Sequence, residues 1–206
     1  MTLSTLLYFL GASMALTLAP GPDNLFVMTQ GIARGRRPAI ITALGMCSGI
    51  SVHTTAAALG ISALFYSSVL AFNVVKFAGA AYLLYLAWKT LKERSAIRLA
   101  TADDRGGTAL FKRGFIMNVL NPKVAMFFLA FLPQFVAPGG GSIPAQMLLL
   151  GFLFMLQAVI IFCLIGYFSG GIGCYLLARP RFAKWFDFLT AGVFASMGIR
   201  LALAER

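Results

Sequence analysis

Acidic residues are scarce in this chain: six Asp and Glu stand against seventeen Lys and Arg in 206 residues, and charged residues make up only 11%. Soluble globular domains carry about 25% charged and about 45–50% apolar residues. Here 60% of the chain is hydrophobic, which excludes an ordinary soluble domain. A single histidine, His53, excludes the paired histidines of a His-Glu-x-x-His zinc hydrolase. The three cysteines, Cys47, Cys163 and Cys174, form no Cys-x-x-Cys pair and lie in apolar runs, so they read as small buried residues and not as a thiol relay. There is no Gly-x-Ser-x-Gly motif to mark a serine enzyme. Short alternating segments, which a β-barrel needs, are also missing. No Lys or Arg precedes the first apolar run, so no signal peptide is expected.

Long apolar runs are what the chain has instead. Crossing a hydrocarbon core of about 30 Å takes roughly 20 apolar residues. Six runs qualify, near residues 3–31, 38–66, 69–91, 112–136, 144–175 and 182–203. In lipid, backbone polar groups must be satisfied within the segment, so each run is expected to be a helix. The expected fold is all-α: a polytopic membrane protein of six transmembrane helices, forming one transporter domain over residues 1–206 with no separate soluble domain. Five spans would require one run to be re-entrant.

The net charge of +11 would suggest nucleic acid in a soluble protein. Here the basic residues sit between apolar runs, so the expected partner is the lipid bilayer and not nucleic acid. The first connection carries Arg34, Arg36 and Arg37. The third carries Lys89, Lys92, Arg94, Arg98, Arg105, Lys112 and Arg113, and the fifth carries Arg179, Arg181 and Lys184. The second and fourth carry none. Basic loops stay in the cytoplasm, so both termini are expected outside. Arg200 and Arg206 fall on the opposite side from that rule.

The polar stretch near 92–111 separates two sets of three runs, about 1–91 and 112–206. Three is odd, so the second set would insert upside down relative to the first. A short internal match agrees: Gly21-Pro22-Asp23-Asn24-Leu25-Phe26 opens half one as Asn121-Pro122-Lys123-Val124-Ala125-Met126 opens half two, and Ala78-Gly79 parallels Ala191-Gly192. Inverted repeats with interrupted helices are a transporter feature, and the interruptions point to the substrate site.

Pro20 and Pro22 lack N–H groups, so the carbonyls of Leu16 and Leu18 lose their helical partners. With Gly21 between the prolines, the helix is expected to break. Asp23 and Asn24 are then placed to cap the restarted half-helix. A charged residue at mid-membrane costs roughly 2.5–3.5 kcal/mol on insertion scales, so it pairs or lines a path. Lys123, in Asn118-Val119-Leu120-Asn121-Pro122-Lys123, is the expected partner of Asp23. Asp23 precedes Arg34 by eleven residues and Lys123 follows Arg113 by ten. At 1.5 Å per residue both lie about 15–17 Å deep, near the midplane. The pair can act as a gated charge pair that takes an amino acid's ammonium and carboxylate in turn, or as a permanent salt bridge between the halves.

His53 lies among Ser48, Ser51, Thr54 and Thr55. It is either a proton relay or a hydrogen-bonded packing residue. Gly45-x-x-x-Gly49 and Gly166-x-x-x-Gly170 permit close helix contact, by default within the monomer and alternatively at a homodimer seam. Asp187 is expected at the basic end of the sixth span, favourable to a helix N-terminus.

These residues together resemble the lysine exporter and homoserine/threonine resistance (LysE/RhtB) family of bacterial amino-acid exporters. The resemblance rests on Pro20-Gly21-Pro22-Asp23 in the first span, Asn121-Pro122-Lys123 in the fourth, the basic loop after the first span, and a length near 200 residues. It covers essentially the whole chain. It implies a multi-pass protein of the bacterial inner membrane that exports amino acids or close derivatives of the homoserine, threonine, leucine or lysine kind, by proton antiport. It also implies that Pro20, Pro22, Asp23, Asn121, Pro122 and Lys123 lie at or near the path; the reading of the residues themselves adds Gly21, Asn24, His53 and Asn118 as candidates for the substrate and proton pathway. Export direction comes from the resemblance alone. No cofactor, resident metal or enzyme activity is expected. A metal-cation exporter of the same fold and an intramembrane enzyme are the alternatives. A cation path would want several carboxylates or thiolates together, and only Asp23 is deep.

Overall fold

In hydrocarbon, unpaired backbone groups have no water to turn to, and a helix satisfies them within itself. The computed structural model describes residues 1–19, 21–61, 69–92, 106–137, 139–169 and 180–203. Among these the structure is helical, with no strand. Helix α1 (Leu3–Leu18) is followed by α2 (Pro22–Arg34), α3 (Arg36–Ala56, ending in a π-helical turn Ala57–Ile61), α4 (Val69–Lys92) and α5 (Gly107–Val119). Then come α6 (Pro122–Met126, prolonged by a π-helical turn Phe127–Phe131 and a 3-10 turn Leu132–Phe135), α7 (Ile143–Phe168) and α8 (Pro180–Leu203).

Among the described residues two helices, Arg36–Gly60 and Ile143–Phe168, are long and apolar enough to cross a membrane singly. Two bent pairs pass as joined spans: α1 with α2, bent by 59°, and α5 with α6 and its extension, bent by 46°. Helices α4 and α8 have 24 residues each, a length of about 36 Å at 1.5 Å per residue. Helix α5 begins at Gly107, inside the stretch read as linker. Leu110, one turn in, is buried in the core, which draws that turn into the helix. Residues 62–68, 93–105 and 170–179 lie outside the described residues, and with them Arg94, Arg98, Arg105, Gly170, Cys174 and Arg179.

Burial is inverted relative to a water-soluble protein. Leu3, Leu7, Leu70, Val74, Phe152, Ile160, Phe188 and Ile199 are exposed, while Asp23, Asn24, Gln30, Asn118, Asn121, Lys123 and Gln157 are buried. Apolar surface of that extent marks a lipid-facing exterior. The chain is a polytopic membrane protein.

Helix α3 packs along α5 and α7, and α4 packs along α8. Glycines set the closest crossings. A Cβ on Gly45 would collide with the Phe111 backbone, and one on Gly114 would reach the Thr42 carbonyl and the Met46 nitrogen. Gly49 faces Asn118, and Gly166 faces Ala39 and Ile40. Gly45, Gly49 and Gly166 are thus used in packing within the chain. Gly35, between α2 and α3, has φ +87°, a backbone region that disfavours side chains. An aromatic cluster of Phe9, Phe127, Phe128, Phe131, Phe135 and Phe154, with ring centroids 5.0–6.1 Å apart, fills the core beside the two helix breaks.

Asp187 differs from its expected place. Helix α8 starts at Pro180, and proline is well suited to a first helical position. Asp187 therefore lies two turns into the helix, where it is buried.

Candidate functional site

Both interrupted helices restart in the same way. Gly21 is the N-cap of α2, with Pro22 in its first turn and Asp23 next. Asn121 is the N-cap of α6, with Pro122 in its first turn and Lys123 next. Each proline removes an N–H and strands a carbonyl one turn earlier. In the second break the stranded group is the Asn118 carbonyl. It accepts from the Asn121 backbone N–H at 2.9 Å and from His53 Nε2 at 3.0 Å. A carbonyl only accepts, so Nε2 carries the proton. His53 thus ties α3 to the second break.

In the first break the freed carbonyls are taken by two side chains. Asn24 Nδ2 donates to Thr17 O at 2.9 Å and Leu18 O at 3.3 Å. Lys123 Nζ donates to Leu16 O and Ala19 O, both at 3.1 Å. A cation at a helix C-terminus and a carboxylate in a helix's first turn both favour the macrodipole. The break provides both, with Lys123 at the end of α1 and Asp23 at the start of α2. Gly21 leaves room for the amine: a Cβ there would stand 3.3 Å from Lys123 Nζ.

Asn121 joins the two breaks. Its Oδ1 accepts from the Lys123 backbone N–H at 2.9 Å, capping α6, and its Nδ2 donates to Asp23 Oδ2. Among the described residues Asp23 Oδ1 has no hydrogen-bond partner. Two expectations are corrected here. Asp23 and Lys123 do not bond each other directly, because the amine is drawn to the stranded carbonyls and the carboxylate to Asn121. Among the described residues no side chain caps α2, and Asn24 turns back to close the end of α1, whose carbonyls lack helical partners.

Of the residues expected at the site, Gly21, Pro22, Asp23, Asn24, Asn118, Asn121, Pro122 and Lys123 come together at the breaks, with His53 bonded to Asn118. Pro20 lies outside the described residues. Asp23, Asn24, His53, Asn118, Asn121 and Lys123 are all buried, so the site is closed to solvent.

Sequence reasoning missed Thr17 and Gln157. Gln157 Nε2 donates to Thr17 Oγ1 at 2.9 Å, and Thr17 Oγ1 donates to Ser13 O at 2.9 Å. Gln157 lies near the middle of the highly apolar α7, a signal as legible as Asp23 in α1–α2. Gln30 was missed as well. It is fully buried, both its amide atoms are unpartnered among the described residues, and it follows Asp23 by seven residues on the same helical face. Among the described residues no group of three His, Cys, Asp or Glu is placed to hold a metal ion.

The chain has relatives in sequence. A homoserine/homoserine lactone efflux protein of Salmonella typhimurium is 38% identical over 144 residues, 69% of each chain. A leucine efflux protein of Klebsiella pneumoniae is 31% identical over 210 residues, covering 98% of this chain and 96% of its own. The Bacillus subtilis membrane protein YrhP is 28% identical over 97% of this chain and 99% of its own. No solved structure matches. The model of the LysE type translocators matches residues 14–205, a stretch that contains both interrupted helices, and on that match the chain belongs to the LysE translocator family.

Proposed function

We propose that this protein is a bacterial inner-membrane secondary transporter that exports amino acids or close derivatives by proton antiport. The observation that carries the reading is the junction of the two breaks: Asn121 of one bonded to Asp23 of the other, and Lys123 holding the end of α1. Irregular backbone at membrane depth is tolerated where it is enclosed by protein or lines a cavity, and such breaks carry substrate sites in transporters. The homoserine and leucine efflux relatives support an amino-acid substrate.

Six spans arranged as two inverted repeats, about 1–91 and 112–206 joined by a cytoplasmic segment near 92–111, remain the topology of this reading. The packing supports it by its exchange symmetry. The middle helix of each half, α3 or α7, packs on the interrupted helix of the other, and the third helices, α4 and α8, pack on each other.

In the mechanism, Asp23 exchanges a proton for the substrate's ammonium. The carboxylate binds substrate when ionised and releases it when protonated, so inward proton flow drives outward substrate flow. Asn121 reports the state of Asp23 to the second break, and opening on either side requires the two breaks to separate. The test is efflux from vesicles holding only this protein, with and without a pH gradient. Asp23→Asn, inserted at normal abundance, is expected to carry no flux; wild-type flux by that variant refutes the assignment.

A further inference from the structure

Among the described residues the unpartnered buried atoms at the first break are mainly acceptors, with the Ser13 hydroxyl, which can donate or accept, also unpartnered one turn before Thr17. Asp23, Asn24 and Gln157 are each more than nine-tenths buried, and among the described residues each has one oxygen without a partner: Asp23 Oδ1, Asn24 Oδ1 and Gln157 Oε1. The amide orientations are fixed by their neighbours. Asn24 faces two carbonyls, which need a donor, so its nitrogen points there and its oxygen is left over. The Thr17 hydroxyl has given its proton to Ser13 O, so it can only accept, and Gln157 must offer it Nε2. The three residues form one set: Asn24 and Gln157 are both bonded to Thr17, and Asp23 adjoins Asn24 in the chain.

Buried acceptors without donors are costly, and three of them on linked residues call for a ligand that brings hydrogens. We infer that Asp23, Asn24 and Gln157 form an ammonium site, and that the ammonium is the group by which the transported molecule is recognised, with the carboxylate secondary. An ammonium supplies three N–H donors. The carboxylate has poorer prospects. Two of the three N–H donors of Lys123 are committed to carbonyls, and Asp23 already occupies the positive end of α2. Gln30, whose amide nitrogen is unpartnered, lies seven residues on, about 10 Å along the helix, whereas the two poles of an α-amino acid are only about 3 Å apart. The predicted substrate class is therefore primary α-ammonium compounds, including those whose carboxylate is esterified, amidated or closed into a lactone.

This inference rests on the proposed transport function, and the test separates the two. Vesicles containing the full chain are assayed for counterflow of radiolabelled L-homoserine and L-leucine. The competitors are the lactone or methyl ester, which keep the ammonium, and the corresponding 2-hydroxy acid, which keeps only the carboxylate. The lactone or ester is expected to compete within about threefold of the parent amino acid. The 2-hydroxy acid is expected to be at least about 100-fold weaker, because a site built for N–H donors is left unpaired without them. Replacing sodium by choline is expected to change nothing. Gln157→Met keeps the volume and removes the free acceptor together with the Nε2 bond to Thr17; it is expected to raise KM about 10-fold at unchanged Vmax. A 2-hydroxy acid that competes as well as the amino acid, an ester that does not compete, or binding that requires sodium overturns the inference while amino-acid transport stands. Absence of any counterflow overturns both.

Discussion

Replacing Lys123 with methionine removes the amine and keeps most of the side-chain volume. The Leu16 and Ala19 carbonyls, both bonded to Nζ at 3.1 Å, would then have no donor in a site closed to water. Interhelical hydrogen bonds in membranes average about 0.6 kcal/mol, because the unfolded chain in lipid also finds partners. Hydrogen bonds to charged groups elsewhere contribute about 1.5–3 kcal/mol. Two bonds therefore give a loss between about 1 and 6 kcal/mol, against a total stability of about 5–15 kcal/mol for a folded domain. Asp23→Asn is the contrast. It keeps an acceptor for Asn121 Nδ2 and strands no carbonyl, so its stability is expected to change by less than about 1 kcal/mol. The assay is unfolding of the purified protein in detergent, with abundance in the membrane as a second readout. If Lys123→Met unfolds within about 1 kcal/mol of wild type, the amine does not hold the end of α1 and the stranded carbonyls do not need it.

The other predictions address separate parts of the molecule. Gly45→Leu is expected to lower the yield of folded protein, since its Cβ collides with the Phe111 backbone and overpacking costs about 1–3 kcal/mol or more; a normal melting profile contradicts the close α3–α5 crossing. His53→Gln keeps a donor in reach of the Asn118 carbonyl, so transport and its pH dependence are expected to persist. Loss of flux at normal abundance would instead assign His53 to proton transfer. Reporter fusions are expected to place Arg36 and Arg98 in the cytoplasm and the C-terminus outside; a cytoplasmic C-terminus contradicts the six-span topology. Gln30→Leu removes two unpartnered buried polar atoms and is expected to raise stability by about 1 kcal/mol or more; a loss of stability would show that its amide is paired.

Much of the site was legible because proline chemistry is local. Pro22 and Pro122 break their helices wherever they stand, and the x-Pro-charge pattern at Gly21-Pro22-Asp23 and Asn121-Pro122-Lys123 announces two equivalent restarts. The rise per residue from Arg34 and Arg113 set the two restarts at a common depth, an expectation in keeping with their meeting through Asn121 and Asp23. What failed was partner choice. Opposite charges at one depth suggested a direct bond, but the sequence does not say that the carbonyls of Leu16 and Ala19 compete for the amine, or that Asn121 claims the carboxylate. Asp187 failed for a related reason: its setting depended on where α8 begins. Gln157 was overlooked although a polar amide in the middle of the apolar α7 marks it, and Thr17 was missed because it matters only through the bond that Gln157 makes to it.

Composition and patterning by themselves determined that the chain lives in a membrane, that it is helical, and that two of its helices are interrupted by proline beside an ionisable residue. These follow from burial of apolar runs and from backbone groups that each segment must satisfy on its own. The tertiary structure decided which donor meets which acceptor. That choice depends on atoms more than a hundred residues apart in the chain, such as Lys123 Nζ and Leu16 O, and on the glycine crossings that bring their helices within reach.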